Sequence, residues 1–264
     1  MKEKMRFADT HCHLNFSVFD RSRKRLLAAC LQANIELIVV PGTQYHDWEL
    51  INQLCQNGKH LKPAFGLHPY FIKNHEEWHL EELDNYLARC AGLVVGVGEV
   101  GLDYFVGDIE RQQYFFEAQL SLASKHALPV IIHSRKAHNQ IIKTIKKYDL
   151  IGGVVHAFSG SEQELSQFSA LGLKIGVGGV ITWPKSIKTR KAIKNAPLSC
   201  LVLETDSPDM PVAGQSKGES TPLNILRIFE SLCEIRTESP QELAAALWQN
   251  SLALYQCGEQ GNEQ

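Results

Sequence analysis

The chain has 264 residues, 44% of them hydrophobic, and a formal net charge of −2. That length suits one large α/β domain or two small ones, and the apolar content is ample for a core. The charge excludes a global basic field for capturing nucleic acid, and no apolar run is long enough to cross a bilayer.

Short β-rich runs recur along the chain with amphipathic stretches between them. Strands are predicted at 6–9, 36–40, 62–67, 93–98, 129–132, 152–155, 173–178 and 200–204. Helical spacing falls at 21–33, 46–57, 79–90, 110–126, 136–147, 161–171 and 186–195, and two more helices, 221–236 and 240–257, follow the eighth strand. Eight strand–helix units predict a single α/β domain over 1–264, a (β/α)8 TIM-type barrel. A doubly wound open sheet is the competing fold, but no GxGxxG opens the first βα turn. The stretch 207–220, SPDMPVAGQSKGES, is the longest irregular segment. The start, MKEKMRFADTH, has no apolar stretch followed by a cleavage site, so no signal peptide is expected. Cys12, Cys30, Cys55, Cys90, Cys200, Cys233 and Cys257 lack CxxC spacing and read as free thiols of a reducing cytoplasm.

In a barrel of this kind the active site lies at the C-terminal strand ends. The first end reads ADTHCHLNF (8–16), and strand alternation puts Asp9, His11 and His13 on one face with Thr10 and Cys12 on the other. Cys12 is therefore assigned to packing. His68 follows the third strand, Glu99 and then Asp103 the fourth, His133 the fifth and His156 the sixth. The eighth ends in Glu204, Thr205 and Asp206. One histidine at a strand end is usually a hydrogen-bonded loop residue. Five histidines and several carboxylates on one rim point instead to divalent metal held by nitrogen and oxygen. The donors outnumber the demand of one ion, and two ions sharing a bridging carboxylate fit better, with Glu99 the bridge candidate. Zn, Mn, Mg, Fe and Ni remain open as the metal. His46, His60, His75, His79, His126 and His138 are assigned to the surface.

The motifs DTHCHL (9–14), GLHP (66–69), GEVGLDY (98–104), HSR (133–135), HAFSG (156–160) and LETDSP (203–208), with RQQYFFEAQLSLA (111–123), resemble the TatD family of metal-dependent deoxyribonucleases, nearest its YjjV-like branch, within the amidohydrolase-like barrels. The resemblance runs in family order over nearly the whole chain. It implies that His11, His13, Glu99 and Asp206 hold one metal and that Glu99, His133 and His156 hold a second. Before the proline that follows strand eight, family members carry Asn or Arg, where this chain has Glu219, Ser220, Thr221 and Pro222.

Two metals holding a water would bring its pKa toward neutrality, and Asp206 is placed to accept its proton. Asp9 and Glu204 are in phase to orient the ligand histidines from behind. Arg135, two residues past His133, could clamp a phosphate with parallel hydrogen bonds, and His68 could reach substrate. Lys185, Lys188, Arg190, Lys191 and Lys194 read mostly as a solvated helix face. The leading expectation is a two-metal phosphodiesterase acting locally on DNA or a small phosphoester, in the cytoplasm and with no obligate protein partner; the resemblance implies trimming of single-stranded 3′ ends. An amidohydrolase acting on an amide or lactone is the alternative, disfavoured because the fourth strand, LVVGVGEVG, offers no bridging lysine. A binding protein without catalysis is the third reading, opposed by the complete donor set.

Overall fold

A computed structural model describes residues 4–256. Cys257, the end of the predicted helix 240–257 and the first three residues of the MKEKMRFADTH start lie outside the described residues. Eight parallel strands run in chain order around one sheet: β1 (Phe7–Asp9), β2 (Ile35–Pro41), β3 (Leu61–Phe65), β4 (Gly96–Asp103), β5 (Val130–Arg135), β6 (Gly153–Val155), β7 (Leu173–Val177) and β8 (Leu201–Leu203). The helices between them are α1 (Arg23–Gln32), α2 (Trp48–Asn57), α3 (Trp78–Arg89), α4 (Ile109–His126), α5 (His138–Ile145), α6 (Glu162–Ala170) and α7 (Ile187–Asn195), with α8 (Ile225–Ile235) and α9 (Pro240–Leu254) after β8. This is the expected (β/α)8 barrel. The strands are near-continuous apolar runs because a parallel sheet is covered on both faces. One buried cluster draws Val39, Ala64, Ile131, Val154 and Val202 from five strands and is completed by Leu254 and Tyr255 after them.

The barrel closes between its first and last strands by a seam of irregular backbone bonds. Thr10 N and Oγ1 donate to Leu203 O at 3.0 and 2.9 Å, Asp206 N donates to His11 O at 2.8 Å, and Cys12 bridges Ser207 in parallel fashion. Cys12 is fully buried in the main apolar core.

All eight strands differ from their predicted bounds by at least one residue, and two of the differences matter for the site. The fourth begins at Gly96 and runs on to Asp103, so Glu99 sits within it rather than after it. Its glycines mask it from β-propensity, while pairing to β5 from Val100–Ile132 to Asp103–Arg135 holds it extended. The fifth likewise continues through His133 to Arg135. Two histidines assigned to the surface are buried instead. His75 sets its Nε2 2.8 Å from His68 O, and the ring of His79 stacks on Tyr45 with centroids 5.0 Å apart. The basic residues of α7 are largely paired: Lys191 with Glu162 at 2.8 Å, Lys188 with Glu164 at 3.2 Å and Arg190 with Glu234 at 3.7 Å. No helix among the described residues is long and apolar enough to cross a membrane.

Candidate metal centre

The rim converges on the carboxylate of Glu99, which is 1% exposed. Its strand packs against β5 as only glycine permits: Gly101 has φ +140°, and a Cβ there would lie 2.0 Å from His133 O. This close approach brings His133 Nδ1 to 2.9 Å from Glu99 Oε1.

The two oxygens of Glu99 meet different donors. Oε2 lies 3.1 Å from His11 Nε2 and 3.4 Å from His13 Nε2. Those nitrogens are 3.3 Å apart, and each is 3.5 Å from Asp206 Oδ1. Around an ion with bonds of about 2.0–2.1 Å, the edge of a ligand tetrahedron is roughly 3.3–3.4 Å. His11 Nε2, His13 Nε2 and Glu99 Oε2 therefore suit three corners of such a tetrahedron, with Asp206 Oδ1 3.5 Å from both nitrogens. Glu99 Oε2 is buried and has no hydrogen-bond partner among the described residues, as suits an oxygen whose lone pairs aim at a cation rather than at an N–H.

Glu99 Oε1 faces three imidazoles: His156 Nε2 at 2.6 Å, His68 Nε2 at 2.7 Å and His133 Nδ1 at 2.9 Å. His133 Nδ1 and His156 Nε2 are 3.2 Å apart. The structure thus brings together His11, His13, Glu99, His133, His156 and Asp206, and adds His68, whose Nδ1 accepts from Tyr70 N at 2.9 Å while its Nε2 turns inward. Two backbone strains support the rim. Asp206 has φ +50° and Ala157 φ +45°, a region that costs side-chain-bearing residues and collects at functional sites. Asp206 is held there by its N–H on His11 O, and Ala157 by its N–H on the Glu204 carboxylate.

Charge is strongly redistributed in the cluster. Burial alone would raise the Glu99 carboxyl, but His156, His68 and His11 around it hold it well below the ordinary carboxylate range. Burial opposes charge on His13 and His156 too, yet the carboxylates of Glu99 and Asp206 beside them raise these rings to about 10 and about 9. His11 and His68 go the other way, to about 4, chiefly through burial.

Asp9 and Glu204 do not serve the ring nitrogens as the alternation suggested. Asp9 accepts from Thr205 N at 2.9 Å, Thr205 Oγ1 at 2.6 Å and His11 N at 3.3 Å, so it braces backbone across the seam. Glu204 takes the Ala157 N–H, and His11 Nδ1 and His156 Nδ1 have no hydrogen-bond partner among the described residues. Alternation fixes a face but not which neighbour on it a carboxylate meets. Glu204 still lies close enough to His11 and His156 for one ligand atom of each to fall within 4.8 Å of the others.

The orienting acid that the sequence reading left without a role is Asp103. Its Oδ2 is 3.3 Å from His133 Nε2 and 3.7 Å from Arg135 NH1. The signal was its parity with Glu99, since residues four apart in a strand share a face. Buried Gln112 holds Asp103 at both ends, accepting from its N–H at 2.8 Å and donating to its carbonyl at 3.0 Å. Gln119, seven residues along α4, does the same for Leu67 beside His68, at 2.7 and 3.2 Å. Arg135 sits at the mouth with a 55% exposed side chain, its guanidinium carbon 4.4 Å from the Phe105 ring centre.

Residues 8–256 match the family model for TatD related DNase. An Escherichia coli K12 protein named uncharacterized metal-dependent hydrolase YjjV is 44% identical over 253 residues, covering 95% of this chain and 98% of its own. The crystal structure of the E. coli YjjV superposes with a TM-score of 0.92 at 43% identity, over 96% of this chain and 99% of that one. A protein of Pantoea vagans named 3′-5′ ssDNA/RNA exonuclease TatD is 30% identical over 94% of this chain and 98% of its own.

Proposed function

The chain belongs to the TatD-related DNase family of metal-dependent hydrolases, and from that premise we propose that it is a two-metal phosphodiesterase that shortens single-stranded DNA from its 3′ end. The observation that carries this reading is the Glu99 carboxylate, with one oxygen in each of two donor groups. In this reading His11, His13, Glu99 and Asp206 hold one divalent ion, and Glu99, His133, His156 and His68 hold the other. Nitrogen and oxygen donors together suit Zn, Mn, Fe or Ni better than Mg. Such a pair supplies a water acidified toward neutrality and positive charge for the phosphoryl oxygens.

The protein's own groups do the rest. Asp206 stays ionised at neutral pH because His13, His11 and His156 outweigh its burial, and so can accept the proton of the attacking water. Arg135, propped between Asp103 and Phe105, presents paired N–H donors that match two phosphate oxygens. Asp103 and Gln112 keep the His133 ring turned toward Glu99.

The test is a reconstitution screen. Metal-stripped protein, reloaded with Zn, Mn or Mg, is assayed on 5′-labelled single strands, duplexes, bis(p-nitrophenyl) phosphate and simple amides. A ladder of shortened single strands is expected, with little action on duplex. Turnover of amides with no cleavage of any phosphodiester overturns the reading.

A further inference from the structure

The two most exposed aromatic residues among the described residues, Phe105 at 62% and Tyr70 at 58%, both stand beside the candidate metal centre. A single exposed ring is ordinary on a protein surface, although burying one would stabilise the fold considerably. What sets these two apart is where they hang. They follow adjacent strands, β3 and β4, and the backbone of each is tied to a side chain of the outer side of Glu99. Tyr70 N donates to Nδ1 of His68, whose Nε2 faces Glu99 at 2.7 Å. Phe105 N donates at 2.9 Å to Oδ1 of Asp103, whose Oδ2 meets His133. The rings of His68 and His133 are themselves only 4.3 Å apart between centroids. His68 and Asp103 therefore hold the two exposed rings in register with the centre.

Both rings are open to a flat ligand. Tyr70 meets its ring neighbours only in T-shaped contacts, His68 at 6.5 Å and Phe71 at 5.1 Å between centroids, and no ring among the described residues lies parallel on it. Phe105 carries the Arg135 guanidinium 4.4 Å from its ring centre, so an exposed ring and a cation stand side by side. Rings interleaved with cations are the means by which single-stranded nucleic acid is held, its phosphates on the cations and its bases flat on the rings. A purely apolar ligand would leave the guanidinium unused. A strand engages ring and cation together.

We infer that Tyr70 and Phe105 are stacking platforms for the unpaired bases next to the scissile phosphate; the inference rests on the phosphodiesterase reading. Every base has a π face, so the platforms hold a strand with little regard to its sequence. They require that the base be free of its own neighbours, which a duplex does not offer without the cost of unstacking. Selection of single strands over duplex thus resides in these two side chains.

The experiment uses metal-loaded protein and a mixed-sequence single strand, compared with the same strand made abasic at its 3′ end. Terminal phosphorothioate linkages slow cleavage while equilibrium binding is measured at fixed salt. Shortening is followed on the phosphodiester versions. Wild type is expected to bind the intact strand about tenfold more tightly than the abasic one. Tyr70→Ala lowers that ratio severalfold while affinity for the abasic strand and bound metal are unchanged, and Tyr70→Trp restores it. Phe105→Ala weakens both strands, since Arg135 loses its prop, and lowers the ratio as well. The double alanine variant brings the ratio to within about twofold of one. Both positions are exposed, so the substitutions spare the core. Equal binding of the two strands by wild type, or a preference that survives the double variant, overturns the platforms; cleavage of both strands in that case leaves the nuclease reading standing. A preference that the double variant abolishes, with no strand ever shortened, overturns the nuclease reading and leaves the platforms. Self-association that the double variant abolishes, without base dependence, assigns the rings to a contact between copies of the chain and overturns the platforms too.

Discussion

The two sides of Glu99 are built unequally. Around Oε2 lie two imidazoles, with a second carboxylate, Asp206, 3.5 Å from both of them and His11 fully buried. Around Oε1 lie three imidazoles and no further carboxylate, and His133 remains 17% exposed. Two carboxylates face the inner position and only the shared one faces the outer, so an ion on the outer side would keep more of its positive charge and stay more open to water or a phosphoryl oxygen. The inner side reads as the anchor and the outer side as the reactive face.

The largest effect belongs to the residue both sides share. Glu99→Gln should empty both positions and lower activity by about 10³-fold or more, the scale of losing a preorganised charge. Metal analysis by mass spectrometry checks it, and full occupancy with full turnover would end the bridging role. His133→Ala sharpens the contrast: bound metal should fall by about one equivalent while the inner ion stays, and chelator titration of wild type should release metal in two steps, outer first. Simultaneous loss of both ions would mean the sides are not separable. Asp103→Leu removes the acceptor behind His133 and should cost about 10–100-fold in outer-metal affinity or activity, with the inner affinity untouched.

Arg135→Lys comes next. It keeps the charge but not the paired donors, so KM for a nucleotide ester should rise about tenfold, with metal content and turnover of a neutral amide unmoved. The smallest effect lies away from both sides. Ser161 caps α6 and gives its O–H and N–H to Glu164 at 2.6 and 2.7 Å, and against the upward push of burial these bonds hold the Glu164 carboxyl at about 2 rather than the ordinary 4.5. A depressed carboxyl stabilises the fold above its unfolded value and ceases to as pH falls through its folded one. Ser161→Ala should therefore lose about 1 kcal/mol near neutrality. That loss should shrink between pH 4.5 and about 2, as urea melts across that range would show.

Much of this was legible in the sequence because strand parity is a hard constraint. Asp9, His11 and His13 alternate onto one face, and six motifs fall at strand ends in barrel order. What was not legible depends on contacts far apart in the chain. Glycines hid the length of β4, since their extended conformation is imposed by β5 rather than by their own preference. Asp103 carried the right parity with Glu99, but parity cannot say which face-mate a side chain touches. His75 and His79 looked like surface residues because the aromatic neighbours that bury them, Phe115 and Tyr45, come from other elements.

The seam between β1 and β8 sets an order of events in time. His11 and His13 leave the ribosome well ahead of their partner Asp206, which is made nearly two hundred residues later, as are Leu203 and Thr205, which pair with Thr10 and Asp9 at separations of 193 and 196 residues. A nascent chain can present the two imidazoles early, but it cannot assemble the inner donor set until the final strand has been synthesised and docked. Cation capture at that position would thus report completion of the barrel, and an ion seated there would clasp the two ends of the sheet together.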